Sequence, residues 1–279
     1  MGNNLIAISG KINSGKDTVG KIIQFLTSPE YKDGWNNFDN WCEAIYEPTF
    51  QSDWQIKKFA DKLKDIVCIL LGCTREQLED REFKEKELGE EWWIYQFGRA
   101  DYNRGVMITY LDNGYDKGKE PLKYLVKLTP RKLLQLLGTE CGREIIHPDI
   151  WINALFADYK EVKKYYKNNA EGLIKEGYAY RKVPNWIITD MRFPNELKAI
   201  KDRGGITIRV NRPKYAYESD LPEKSSPLQH AERGKELHNH YSETALDNAE
   251  FDFVIDNNSS IEDLTQEVKD ILVKLNLVS

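Results

Sequence analysis

Leu5-Ile6-Ala7-Ile8-Ser9-Gly10-Lys11-Ile12-Asn13-Ser14-Gly15-Lys16-Asp17-Thr18 joins a short apolar run to a glycine-bearing loop, after which Val19, Ile22, Ile23 and Leu26 fall on one helical face. The pattern predicts strand, loop, helix. Within it, residues 10–16 fit the frame G-x-x-x-x-G-K, in the strand-to-helix context that gives the frame its meaning. Small residues let successive backbone N–H groups turn toward one anion, and the positive end of the following helix adds to the attraction. Gly10, Lys11, Asn13, Ser14, Gly15, Lys16, Asp17 and Thr18 are therefore the expected phosphate-binding set, with the Lys16 ammonium for the β- and γ-phosphates of a nucleoside triphosphate. A glycine turn that only shapes the corner is the other reading.

The residue after the lysine is Asp17, where a Ser or Thr that touches Mg²⁺ is common, and Thr18 comes one step later. A carboxylate here repels a triphosphate unless a cation intervenes. Asp17 is thus expected to act through metal-bound water or to be held away by a basic neighbour, and Thr18 to donate to the α- or β-phosphate.

Outward from the loop, strands are expected at Trp54 to Phe59, Trp186 to Thr189, Ile206 to Val210 and Phe253 to Ile255. Helices are expected after Phe59 with a stop at Gly72, and from Thr74 through Asp80 to about Glu87 behind a Thr74/Gln77 capping box. Further helices are expected behind Thr129-Pro130 with a stop at Gly138, and from Pro148 carrying Trp151, Leu155 and Val162 inward. Pro194 to Ile200 and a final segment behind Ser260 complete the set. Residues 89–127 read as loops or a hairpin. Strands separated by helices imply parallel pairing through right-handed crossovers and a three-layer α/β sheet.

Composition narrows the function classes. Of 279 residues, 41% are hydrophobic and 30% charged, as in an ordinary globular protein, and no apolar run is long enough for a membrane span. A formal charge of −5 gives no global pull toward nucleic acid, so small molecules are the expected partners. The four cysteines form no C-x-x-C pair and share no ligand spacing with the four histidines, so they are read as reduced thiols. The start shows neither a secretory pattern nor a myristoylation signal, and a cytoplasmic location is expected.

Gly15-Lys16-Asp17-Thr18, Phe59-Ala60-Asp61 with Leu63-Lys64, residues 80–85 (Asp-Arg-Glu-Phe-Lys-Glu), and Thr129-Pro130-Arg131 continuing to Gln135, Gly138-Thr139-Glu140, Arg143 and Trp151 occur in that order. Residues 189–196 (Thr-Asp-Met-Arg-Phe-Pro-Asn-Glu) and Ser242-Glu243-Thr244 with Leu246-Asp247 follow. Taken together they resemble the bacteriophage deoxynucleoside monophosphate kinases, a branch of the P-loop nucleotide kinases. The stretches 28–53 and 88–127 match nothing in that family and look like insertions.

The resemblance implies a three-layer P-loop kinase fold: a mostly parallel central sheet flanked by helices, in one domain over 1–279. It implies an acceptor-binding helical insertion at about 60–165 and a lid segment at about 211–247. ATP as phosphoryl donor, Mg²⁺ as cofactor and a nucleoside monophosphate as acceptor go with it; dimers are common in the family, which leaves a homodimer open.

Phosphoryl transfer between polyanions requires converging cations and a metal-binding carboxylate. Asp190, at the end of an apolar strand, is assigned to Mg²⁺ through water, with a helix N-cap as the other reading. Arg192 resembles the arginine that clamps the acceptor's phosphate. Asp61, Lys64, Lys84, Arg131, Gln135, Arg143 and Trp151 complete the acceptor set; Gln135 is open between a base edge and solvent, and Trp151 between base stacking and the core. Arg212 and Arg233 are placed where a lid arginine reaches the transferring group, and His238 and His240 near the lid. Two alternatives remain: a P-loop kinase for another small phosphorylated metabolite (phosphomevalonate-like or dephospho-coenzyme A-like), and a nucleotide-hydrolysing switch protein.

Overall fold

The computed structural model describes residues 4–32, 37–44, 52–101, 106–109, 122–165, 179–212 and 244–278. They form two compact units, residues 1–61 with 151–279 and residues 62–150.

The first unit is built on five parallel strands: β1 (Leu5–Gly10), β2 (Trp54–Lys57), β8 (Asn185–Met191), β9 (Ile206–Asn211) and β10 (Phe253–Asp256). Their spatial order is β10-β9-β1-β8-β2, so the strand that feeds the glycine loop is central. A central parallel strand is covered on both faces and reads as a continuous apolar run, which is why every residue from Leu5 to Gly10 is buried. The two-residue period divides the side chains between two cores. Ile6, Ile8 and Ile187 face α1 (Lys16–Leu26) and α10 (Ile261–Lys274), meeting Val19, Ile22, Ile23, Leu264 and Val268. Leu5, Ala7, Trp186 and Ile188 face the other way, toward Ile152 and Leu155 of α8 (Ile150–Phe156) and Leu197 and Ile200 of α9 (Pro194–Lys201). The result is the three-layer α/β fold expected of a P-loop kinase.

Two short helices of the unmatched stretch 28–53, α2 (Pro29–Lys32) and α3 (Phe38–Ala44), lean on α1. The Phe25 ring meets Tyr31, Phe38 and Trp41 with centroids 5.1 to 5.8 Å apart. An antiparallel pair, β6 (Val162–Tyr165) and β7 (Ala179–Lys182), also belongs to this unit. The helix expected from Pro148 is shorter than its periodicity suggested. It spans Ile150–Phe156, and Val162 opens β6, because Phe156 and Tyr159 turn their rings onto Trp186 rather than continuing a helical face.

The second unit contains α4 from Lys62 onward (α4 is Asp61–Leu71), α5 (Arg75–Glu79), α6 (Arg81–Glu85), α7 (Pro130–Gln135) and a π-helical segment over Leu136–Ile146. It also holds a three-stranded antiparallel sheet of β3 (Trp93–Asp101), β4 (Val106–Thr109) and β5 (Leu122–Lys127), ordered β4-β3-β5, where loops or a hairpin were expected.

Two further expectations are corrected here. The charged helix from Thr74 does form its capping box, but it breaks at Asp80. That residue is extended (φ −62°, ψ 136°) and its carboxylate accepts the Phe83 N–H to start a new helix. Gly138 does not stop α7. Helical backbone continues through it, and its missing side chain makes room for Leu63, whose Cδ2 would lie 2.8 Å from a Cβ at that position. Gly72 does stop α4, at φ +64°. Of the lid segment 211–247, residues 213–243 lie outside the described residues, and with them Arg233, His238 and His240.

Ile187 is fully buried in the middle of the sheet between β1 and β2. Ile187→Ala is expected to cost about 2–5 kcal/mol of stability, read as a lowered urea midpoint at unchanged m-value.

Candidate active site

Open α/β sheets bind ligands at the carboxyl ends of their strands, and here the candidate residues of the first unit gather on that rim. Between β1 and α1 the loop contains two residues with left-handed backbone, Asn13 (φ 57°) and Gly15 (φ 95°). Alternating right- and left-handed residues turns consecutive N–H groups toward a common side. Gly15 is also the N-cap of α1 and makes no side-chain cap hydrogen bond to the first N–H groups of that helix. Ser14 Oγ is fully buried without a hydrogen-bond partner. Lys16 is 9% exposed, and its Nζ sits 2.6 Å from the Lys11 carbonyl, folded over the loop. A helix start without a side-chain cap, an orphaned hydroxyl and a folded-over ammonium form a donor set that suits a phosphate chain.

Gly10 has a steric reason of its own, since a Cβ there would run into Ser14 Oγ and the Val210 carbonyl. Arg212, just beyond β9, donates from Nη1 to the Asn13 carbonyl (3.1 Å). Lys11 pairs with Asp247 (3.3 Å), which also pairs with Arg209 (2.8 Å), and Arg209 donates to Ser9 Oγ (3.1 Å).

On the other side of the loop, Asp17 has the basic neighbour the sequence called for. Its Oδ1 accepts from Lys58 Nζ (2.9 Å) and from Thr189 Oγ1 (2.6 Å). Partial desolvation alone would raise its pKa, but the hydrogen bonds from Lys58 and Thr189 and the charges of Lys58 and Lys16 outweigh it and hold the carboxyl below its ordinary value.

Asp190 is engaged differently. Its two oxygens accept the backbone N–H groups of Phe59 (2.8 Å) and Ala60 (3.1 Å), while Asp61 accepts the Lys58 N–H (2.9 Å). It therefore caps the loop after β2 rather than the helix that follows it in sequence. Burial pushes its pKa up, against the pull of those N–H groups and of Arg192. The register between β1 and β8 slips by one residue between Ala7↔Ile188 and Ser9↔Met191, and the extra residue falls at Thr189–Asp190. Such a bulge re-aims side chains next to a site. Among the described residues no three His, Cys, Asp or Glu side chains gather as a ready metal cage. Asp17, Thr18 and Asp190 are all oxygen donors, which suits a hard cation shared with phosphate oxygens.

At the start of α9 the buried Glu196 accepts the N–H groups of Arg192 (2.8 Å) and Phe193 (3.1 Å), which fixes the backbone at Arg192. Trp151, in α8, is 6% exposed. Lys58, Thr189, Glu196, Arg209 and Asp247 carry these contacts without having been singled out from the sequence for a role. Thr189, Glu196 and Asp247 stand inside the quoted motifs and Lys58 directly precedes one, whereas Arg209 had no such signal.

In the second unit, Lys64 and Lys84 both reach Glu79, with Lys84 at 2.9 Å, and Arg131 pairs with Glu85. Gln135 is exposed on α7, and Arg143 is half-buried in the π-helical segment. Desolvation opposes ionisation of Glu79, but the two lysines prevail and lower its pKa to about 2. A depressed carboxylate pKa contributes stability that is complete above the unfolded value of 4.5 and is lost as pH falls toward 2. Glu79→Gln is therefore expected to lower the urea midpoint at about pH 5, with the difference from the unsubstituted protein shrinking progressively as pH falls from 4.5 toward 2.

No helix among the described residues is long and apolar enough to cross a membrane. No family model matches the chain. A curated protein does: the chain is 26% identical, over 252 residues, to the deoxynucleoside-5'-monophosphate kinase of Escherichia phage T5, an alignment covering 79% of this chain and 84% of that one. The resemblance carried by the ordered motifs from Gly10 to Asp247 thus extends over most of both chains, and this protein is similar to a bacteriophage deoxynucleoside monophosphate kinase.

Proposed function

We propose that this protein transfers the γ-phosphoryl group of ATP to a deoxynucleoside monophosphate. The observation that carries the reading is the curled loop over residues 10–18, whose helix start without a side-chain cap, buried Ser14 hydroxyl and Lys16 ammonium stand at the rim of a parallel sheet. The similarity to the phage T5 kinase favours a nucleoside monophosphate over other acceptors.

In this reading the N–H groups of residues 15–18 and the Lys16 ammonium bind the β- and γ-phosphates, and Arg192 binds the acceptor's phosphate. An acceptor phosphate oxygen forms a bond to the γ-phosphorus while the bond from that phosphorus to the bridging oxygen of ADP breaks. The attacking oxygen is already ionised, so no side chain has to remove a proton, and catalysis lies in placement and charge neutralisation. Mg²⁺, when bound, neutralises charge on the phosphate oxygens, and Asp17, Thr18 and Asp190 are the side chains that would hold it, through water. Asp61, Lys64, Lys84, Arg131, Gln135, Arg143 and Trp151 are assigned to the acceptor as the resemblance implies, with about 60–165 as its binding insertion.

The test is a coupled ADP-release assay with ATP, Mg²⁺ and each deoxy- and ribonucleoside monophosphate in turn. ADP release that depends on a monophosphate is expected. Lys16→Ala should lower kcat about 10²- to 10³-fold. Arg192→Ala should raise the KM of the acceptor roughly 10- to 100-fold while leaving that of ATP in place. Turnover of an unrelated phosphorylated acceptor alone would overturn the nucleotide assignment, and ATP hydrolysis indifferent to every monophosphate would favour a switch.

A further inference from the structure

The carbonyl of Ser14, in the middle of the phosphate loop, accepts a hydrogen bond from Asn257 Nδ2 at 2.9 Å. Asn257 follows β10, at the edge of the sheet and two strands away from β1. Its position is fixed independently of the loop. Its own N–H donates to the Asn211 carbonyl at 2.8 Å, extending the last rung between β9 and β10, and Asn211 Nδ2 donates to Asp256 at 3.1 Å. Three residues later Ser260 caps α10 through a reciprocal box with Asp263. The amide is thus carried by a strand end and a helix start, both anchored in the core, and it reaches across to a loop 243 residues away in sequence.

Gly15 receives it. A Cβ at Gly15 would run into Asn257 Nδ2, so this glycine meets two separate demands, its φ of +95° and the space the amide occupies. A peptide unit is planar and trans, so its C=O and the next N–H point in opposite directions. Holding the Ser14 carbonyl on one side therefore aims the Gly15 N–H to the other. Arg212 holds the preceding carbonyl, that of Asn13, so two consecutive carbonyls of the loop are taken by side chains from adjacent strand ends.

We infer that Asn257 is a positioning residue for the phosphate loop: by fixing the Ser14–Gly15 peptide it presents the Gly15 N–H to the triphosphate. The inference rests on the kinase reading above and adds a residue outside its motifs. Asn257 touches neither reactant in this role, so its removal should weaken the donor nucleotide and spare the acceptor.

Two variants test it, Asn257→Ala, which removes the donor, and Asn257→Asp, which keeps the shape but turns an acceptor oxygen toward the Ser14 carbonyl. Binding of a non-hydrolysable ATP analogue is measured by calorimetry, the KM of ATP and of the accepted monophosphate by the coupled assay, and thermal stability without nucleotide. The Kd of the analogue and the KM of ATP are expected to rise about tenfold in Asn257→Ala and further in Asn257→Asp, with the acceptor KM within about twofold. The isostere keeps the test open if the alanine variant does not fold. Unsubstituted protein that binds the analogue alongside variants that bind it equally well would overturn the inference alone. So would a parallel loss for donor and acceptor together with a lowered Tm, which marks a merely structural contact. Unsubstituted protein that binds no analogue overturns the kinase reading and this role with it.

Discussion

Helix α1 starts from Gly15 as its N-cap, which offers no side-chain cap, and the loop ahead of it is held by groups from the rest of the first unit. A loop with left-handed backbone at Asn13 and Gly15 has to be kept in that shape by other groups. Here the holding groups are side chains that take the loop's carbonyls and charges from outside: Arg212 at Asn13, Asn257 at Ser14 and Asp247 at Lys11. Each comes from the end of β9 or β10 or from the chain just before β10, so the sheet's parallel order converts into an outward-facing row of donors.

The opposite flank uses carboxylates. Asp17 binds Lys58, and Asp190 binds the N–H groups of Phe59 and Ala60, so the loop after β2 is tied to both α1 and β8. The two acids answer their surroundings in opposite senses. Asp17, beside two lysines, has its pKa lowered, while Asp190, partly buried and met mainly by neutral N–H groups, has its pKa raised by desolvation. A cation arriving with a polyphosphate would oppose that upward push on Asp190 and compete with Lys58 for Asp17.

Much of the fold was legible because it is written locally. A fully buried central strand has no polar face to hide it, and the loop's glycines, its lysine and the Ser260 and Thr129 caps each follow from a few adjacent residues. Features that depend on distant packing were not legible. Gly138 lies inside helical backbone because Leu63 needs its space, while the break at Asp80 is a local N-cap onto the Phe83 N–H that the run of charges obscured. The candidate site divides the same way. Lys16 and Asp190 stand in motifs, whereas Lys58, Arg209 and Asn257 matter through the order β10-β9-β1-β8-β2, which no short window of sequence contains.

The most direct test of the central claim is a crystal structure with a non-hydrolysable ATP analogue and Mg²⁺. Phosphate oxygens are predicted within about 2.7–3.2 Å of the N–H groups of residues 15–18, with Lys16 Nζ moved from the Lys11 carbonyl onto the β- and γ-phosphates. An analogue bound elsewhere, with Lys16 still on Lys11 and the loop's N–H groups facing no anion, would contradict it.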